Sequence, residues 1–136
     1  MSYTLDRQVD GEFEQVVEWV TDALSAEGFG VLCDVDVQAT FEAKLDLDEP
    51  YRRYRILGAC NPSLAHDALD AELRLGALLP CNVVVYETAD GTVGVSAVDP
   101  EVLLGVVDNA ELEAVGVEVR ERFERVLETL PDEGAA

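Results

Sequence analysis

Two cysteine–asparagine pairs and one histidine are the residues of this chain whose types and spacing suit chemistry. Cys60-Asn61-Pro62 reads as a strand end turning into a helix start, and Pro80-Cys81-Asn82 as the start of a following strand. His66, the only histidine, falls in the second turn of the intervening helix. A thiol beside a helix N-terminus feels its positive end, which favours thiolate. His66 could orient or deprotonate such a thiol. Cys60, His66 and Cys81 could equally give three soft ligands to Zn²⁺ or another thiophilic metal. The spacing Cys-x₅-His, with fourteen residues then separating His66 from Cys81, matches no finger or ribbon. The competing reading makes both cysteines small apolar packing residues at strand ends and His66 a capping side chain. Capping alone also accounts for Asn61. Asn82 points opposite to Cys81 and Val83, so a bound ligand or a loop backbone is its natural partner. Cys60, Asn61, His66, Cys81 and Asn82 therefore form the candidate ligand-binding set, and none is assigned a catalytic role.

Three further positions stand out. Arg52, Arg53 and Arg55 concentrate three of the eight arginines in four residues, and Arg53 and Arg55 share a strand face. They either pair with carboxylates across the sheet or form an anion-binding patch. Glu72 follows Ala65, Ala68 and Leu69 at helical spacing, so it needs a partner unless the helix has already ended. Cys33 shares parity with Phe29, Val31 and Val35, which predicts a buried packing cysteine.

The elements that must position these residues follow from hydrophobic period. Residues 2–9 alternate as a strand. Asp10 is the expected cap of a helix whose stripe is Phe13, Val16, Val17, Val20 and Leu24, ended by Gly28. A strand over 29–35 leads into a short helix capped by Asp36. Strands are expected over 51–59, 81–87 and 92–98, with Asp90-Gly91 as a hairpin turn. The Asn61-Pro62 helix is expected to reach about Leu73. Asp99-Pro100 starts another, to about Val107. A last helix opens at Asn109, with Leu112, Val115, Val119, Phe123, Val126 and Leu130 on one face. This order predicts an α+β fold: a mainly antiparallel sheet of about five strands, two long helices on one face, and short helices between strands. One domain over 1–130 and a frayed tail over 131–136 are expected.

The chain has 136 residues, 49% of them hydrophobic, enough for one core. Its net charge is −20, with a single lysine, Lys44. Acidic residues spread through every element indicate a halophilic surface, where salt screens self-repulsion, rather than an acidic interaction patch. Such charge excludes nucleic acid and anionic membranes as partners. No apolar run is long enough to span a bilayer, and the first residues lack a signal-peptide pattern, so a cytoplasmic location is expected. Three cysteines in this setting oppose a disulfide framework. Gly-rich phosphate loops, nucleophile elbows and paired-histidine metal motifs are absent.

Tyr54-Arg55-Ile56-Leu57-Gly58-Ala59-Cys60-Asn61-Pro62, Leu64-Ala65-His66 and Leu78-Leu79-Pro80-Cys81-Asn82-Val83-Val84-Val85 resemble an uncharacterised family, domain of unknown function 302. Gly28-Phe29-Gly30-Val31, the Asp90-Gly91 hairpin and Val95-Ser96-Ala97-Val98-Asp99-Pro100 extend the resemblance over about residues 3–128. It implies a curved antiparallel sheet backed by helices, in a TATA-binding-protein-like arrangement, and a homodimer. It carries over no catalytic residue. Some relatives keep Asn-Pro without the cysteines, and this chain has Leu73 where similar sequences have proline, which predicts a longer helix. The expected function is a homodimeric small-ligand or metal-binding module at the two Cys-Asn motifs and His66. A cysteine-dependent thiol or redox enzyme and a structural or regulatory dimer are the alternatives.

Overall fold

Phe13, Val16, Val17, Val20 and Leu24 become the buried stripe of helix α1, Phe13–Ala26. A computed structural model of the chain describes residues 2–131. Strand β1, Thr4–Val9, precedes α1. Glu12 rather than Asp10 caps the helix, its carboxylate accepting from the Gln15 N–H at 3.1 Å. Asp10 instead donates its backbone N–H to the Pro131 carbonyl at 3.3 Å, which ties down the first residue of the expected tail. Residues 132–136 of that tail lie outside the described residues. Gly28 ends α1 at φ 88°, and the Phe29 N–H returns to the Leu24 carbonyl at 2.9 Å.

Strand β2 spans Gly30–Asp36, and helix α2, Val37–Lys44, follows with Asp36 as its cap. Then come β3 (Tyr54–Cys60), α3 (Pro62–Ala71), a 3₁₀ turn over Leu73–Leu78, and β4 (Cys81–Glu87). Strand β5 (Val93–Val98), α4 (Pro100–Leu104), a second 3₁₀ turn over Ala110–Leu112 and α5 (Glu113–Glu128) complete the chain. Helix α3 stops at Ala71, because Glu72 is already extended at φ −149°. It does not reach Leu73, and the extension expected from having Leu there is not made. Asn109 clamps this end: its amide donates to the Ala71 carbonyl at 2.9 Å and to the Glu72 carboxylate at 3.2 Å. Glu72 is thus off the apolar stripe and hydrogen-bonded.

The five strands form one antiparallel sheet in the order β1-β5-β4-β3-β2. Leu57, Ala59, Cys81, Val83, Val85, Val93, Val95 and Ala97 all face α1 and α5 in one core. The aromatic rings of Phe29 and Phe123 meet there with centroids 5.0 Å apart. The other face holds the alternate residues, and Asp6, Gln8, Cys33, Val35 and Asn82 are exposed on it. The fold class expected from the sequence is the one observed.

Cys33 is a correction. Val31 pairs with Ala59 but Cys33 pairs with Gly58, so Leu32 is the extra residue of a β-bulge. The bulge reverses the side-chain alternation, and Cys33 emerges exposed on the open face. Gly58 is required beneath it: a Cβ there would lie 2.5 Å from the Cys33 sulfur and 2.7 Å from Pro80 Cγ.

Phe123 is fully buried at the helix–sheet interface, whereas Leu73 is 85% exposed. Phe123→Ala is expected to lower unfolding free energy in urea by about 3–5 kcal/mol, and Leu73→Ala to leave the midpoint unmoved within about 0.5 kcal/mol.

Candidate functional site

The residues of the two Cys-Asn motifs divide between the two faces of the sheet. Cys81 opposes Ala59 in the β3–β4 ladder, which places it diagonally beside Cys60. Cys81 is buried and Cys60 half-buried. Both line an apolar cavity of about 50 Å³, walled by Phe29, Leu64, Leu75 and Leu104. That volume has room for only a few waters and falls well short of the ~300–1,000 Å³ of a small-molecule pocket. Burial, and then the neighbouring Cys60, push the Cys81 thiol up to about 11, so it stays protonated and inert near neutrality.

Asn61 also lines the cavity, but its side chain is engaged as the cap of α3, accepting from the Leu64 N–H at 3.1 Å. Its amide nitrogen rests against Gly28, where a Cβ would approach to 2.9 Å. His66 does not join the cysteines. Its side chain is 74% exposed, with Nδ1 at 3.6 Å from Asp67 and 3.8 Å from Asp70. Among the described residues, no three His, Cys, Asp or Glu side chains gather in a way that could hold a metal ion. The expected Cys60–His66–Cys81 metal set is therefore not assembled, because α3 turns His66 outward from the cavity that both thiols line.

Of the two readings of Arg53 and Arg55, carboxylate pairing or an anion patch, the side chains make the first. Arg55 donates from Nε to Asp34 at 2.8 Å and from a terminal nitrogen to Glu14 at 3.2 Å. Arg53 pairs with Glu14 and, at 3.6 Å, with Glu12, while its guanidinium lies 4.4 Å above the Phe13 ring. The hydrogen bond to Asp34 raises the Arg55 pKa, against a smaller opposing effect of burial. An incoming anion would meet donors already taken and three carboxylates. Arg52 differs from both. It donates to the Glu87 carbonyl at 3.0 Å, and among the described residues it has no carboxylate within ion-pairing distance.

Asn82 lies on the open face, in a groove of about 570 Å³. All four tyrosines of the chain, Tyr3, Tyr51, Tyr54 and Tyr86, line this groove together with Arg52. Burial, and then Tyr51, Tyr86 and Tyr3 in turn, hold the Tyr54 phenol above its ordinary value. Ser96 donates to the Asp6 carboxylate at 2.7 Å, so the Tyr86 hydroxyl must be the donor in its 3.3 Å contact with Ser96. Sequence reading found Asn82 and Arg52 but missed the tyrosines, which come from four separated positions. The available signal was their parity: Tyr54 alternates with Leu57 and Ala59, and Tyr86 with Val83 and Val85.

The comparisons with known proteins agree on the fold. A family model described as "Domain of unknown function DUF302" matches residues 5–130. A crystal structure of an uncharacterized conserved protein DUF302 from Bacillus stearothermophilus is similar at 28% identity and a TM-score of 0.85. The alignment covers 94% of this chain and 98% of that one. No curated protein matches. Among the described residues, no helix is long and apolar enough to cross a membrane.

Thiol chemistry should follow burial. Iodoacetamide at pH 7.5 is expected to alkylate Cys33 first and Cys81 only after unfolding, as read by peptide mass spectrometry. Stability should also depend on Cys81 at high pH. The unfolded thiol ionises near its ordinary 9.0, whereas the folded one keeps its proton to about 11. Between these values the native state binds the extra proton, so this contribution lowers stability as pH rises through the window and vanishes below it. In urea titrations from pH 8 to 11, Cys81→Ala is expected to lose less stability than the parent chain, by on the order of 2 kcal/mol.

Proposed function

The chain belongs to the DUF302 family, and we propose that this member is a small-ligand-binding module whose site is the tyrosine groove on the open sheet face. One observation carries this reading: all four tyrosines, from three strands or their flanks, converge on one groove although nothing in the core requires them there. Tyrosine gives large contact area with few rotatable bonds and keeps a polar tip, which suits recognition. The volume of about 570 Å³ falls within the range of small-molecule sites. Asn82 keeps its place in the site expected from the sequence. Cys60, Asn61 and Cys81 act in this reading as the packing and capping residues beneath α3, and His66 as a surface residue. The inert Cys81 thiol and the outward His66 weigh against a thiol enzyme.

The module is proposed to be a homodimer in a salt-rich cytoplasm, binding neither nucleic acid nor membrane. Helix α2 supports the dimer: it has eight residues and no buried side chain, too little packing to hold a helix of that length. Its half-buried Phe41 meets the edge of Tyr51, at 5.0 Å, and exposed Leu45 and Leu47 follow it. A second copy laid against α2 would cover this surface, which borders the tyrosine groove at Tyr51.

Native mass spectrometry at micromolar concentration should give twice the chain mass, and Phe41→Glu should return it to the monomer. A fragment screen followed by amide chemical shifts should move Asn82, Tyr86 and Ser96 and spare Leu64 and Ala65. Shifts confined to the Cys60 cavity, or a groove closed by the second copy, would refute the assignment.

A further inference from the structure

We infer that the groove selects a planar aromatic ligand carrying one negative charge, stacked on Tyr54 and Tyr86 with its anionic group toward Arg52. The inference rests on the groove being the binding site proposed above. It begins with a missing atom. A Cβ at Gly94 would lie 2.5 Å from Tyr86 Cζ and 2.7 Å from its hydroxyl oxygen. The Tyr86 ring therefore lies down across the backbone of β5 and occupies the space that any side chain at position 94 would fill. Its hydroxyl reaches the next open-face residue of that strand, Ser96, whose own proton goes to Asp6. The ring is thus held at its tip by the Ser96–Asp6 pair and beneath by Gly94.

Tyr54 is the register partner of Tyr86 and stacks with it, with centroids 5.7 Å apart and planes inclined by 23°. The two rings share an orientation, one of them lying against the sheet, and both line the groove. Ring faces select planar aromatic partners. Val84 and Val98 extend the apolar floor beside them.

Charge sets the second requirement. Arg53 and Arg55 are consumed by Glu12, Glu14 and Asp34, but Arg52 stands on the groove with donors to spare. A guanidinium without a carboxylate among the described residues, in a chain of net charge −20, matches a single anionic group. A polyanion is disfavoured, since Asp6 lines the far end of the same groove and the surrounding surface repels it. The exposed Asn82 carboxamide supplies a donor and an acceptor for a polar edge of the ring system.

The test uses three probes on the full chain, by calorimetry with amide shifts to locate binding: 2-naphthoate, uncharged 2-naphthamide, and the saturated anion cyclohexanecarboxylate. Naphthoate is expected to bind at the open face about tenfold more tightly than naphthamide, and cyclohexanecarboxylate not to bind. Arg52→Gln should remove the naphthoate advantage and leave naphthamide unchanged. Tyr86→Leu should weaken both aromatic probes by about tenfold, and Tyr54→Leu serves the same purpose should loss of Tyr86 unfold the chain. Equal binding of the two aromatic probes, unaffected by Arg52→Gln, would overturn the charge requirement and leave the groove standing as the site. Binding of cyclohexanecarboxylate as tight as naphthoate would overturn the stacking requirement. Aromatic probes that bind only elsewhere, or not at all, would overturn both this inference and the assignment of the groove.

Discussion

A β-sheet covered on one face only is the constraint from which the rest of this molecule follows. Successive side chains leave a strand on opposite sides, so packing α1 and α5 against Leu57, Ala59, Val83, Val85 and Val95 consigns every alternate residue to the other side. The covered side collects the valines and leucines and is closed at one end by the Phe29–Phe123 contact. The open side collects residues that need not be apolar: Asp6, Asn82, Ser96, the tyrosines. The residues that hold the chain together and those left to solvent are thereby separated by parity within each strand.

That separation explains what the residues disclosed in advance. Helix α1, strand β4 and the caps Asp36, Asn61 and Asp99 were readable because each depends on local spacing: a 3.6-residue stripe, a two-residue alternation, a carboxylate or amide one step before the first helical turn. The order of elements pointed to a mainly antiparallel sheet, and the family resemblance agreed with it. Cys33 was misread because alternation assumes an unbroken ladder, and the inserted Leu32 is invisible until β3 is laid alongside β2. The end of α3 was misplaced because it is fixed by Asn109, almost forty residues away. The thiol and imidazole of the central motif share a stretch of sequence but not a direction, since one lines a cavity and the other follows the exposed side of a helix. Proximity in sequence did not bring His66 to the cysteines, and the tyrosine groove, assembled from separated positions, left only the parity of its residues as a signal.

The arginines show how a strongly acidic chain uses its few cations. Arg122 and Arg125 fasten α5 to the end of α1 through the Glu27 carbonyl and carboxylate, at 2.8 and 2.9 Å. Arg120 reaches the buried Asp99 at 3.4 Å. Arg53 and Arg55 join the start of α1 to the sheet. Each bridges elements distant in sequence, and such clustered pairs lose less to side-chain ordering than isolated surface pairs do. At high ionic strength screening weakens the exposed members first, and the partly buried ones keep more of their attraction. In a chain this acidic, the few arginines thus set where the pieces meet.

Gly94 has a consequence beyond allowing a ring to lie flat. A side chain that is free before association loses about 0.5–1.5 kcal/mol when a partner fixes it. The Tyr86 ring, lodged over Gly94 and tethered to Ser96, has already surrendered that freedom in folding. Any molecule that settled on this ring would meet a pre-organised surface, with no side chain left to order. A single hydrogen in place of a methyl group is what lets this ring settle against the sheet.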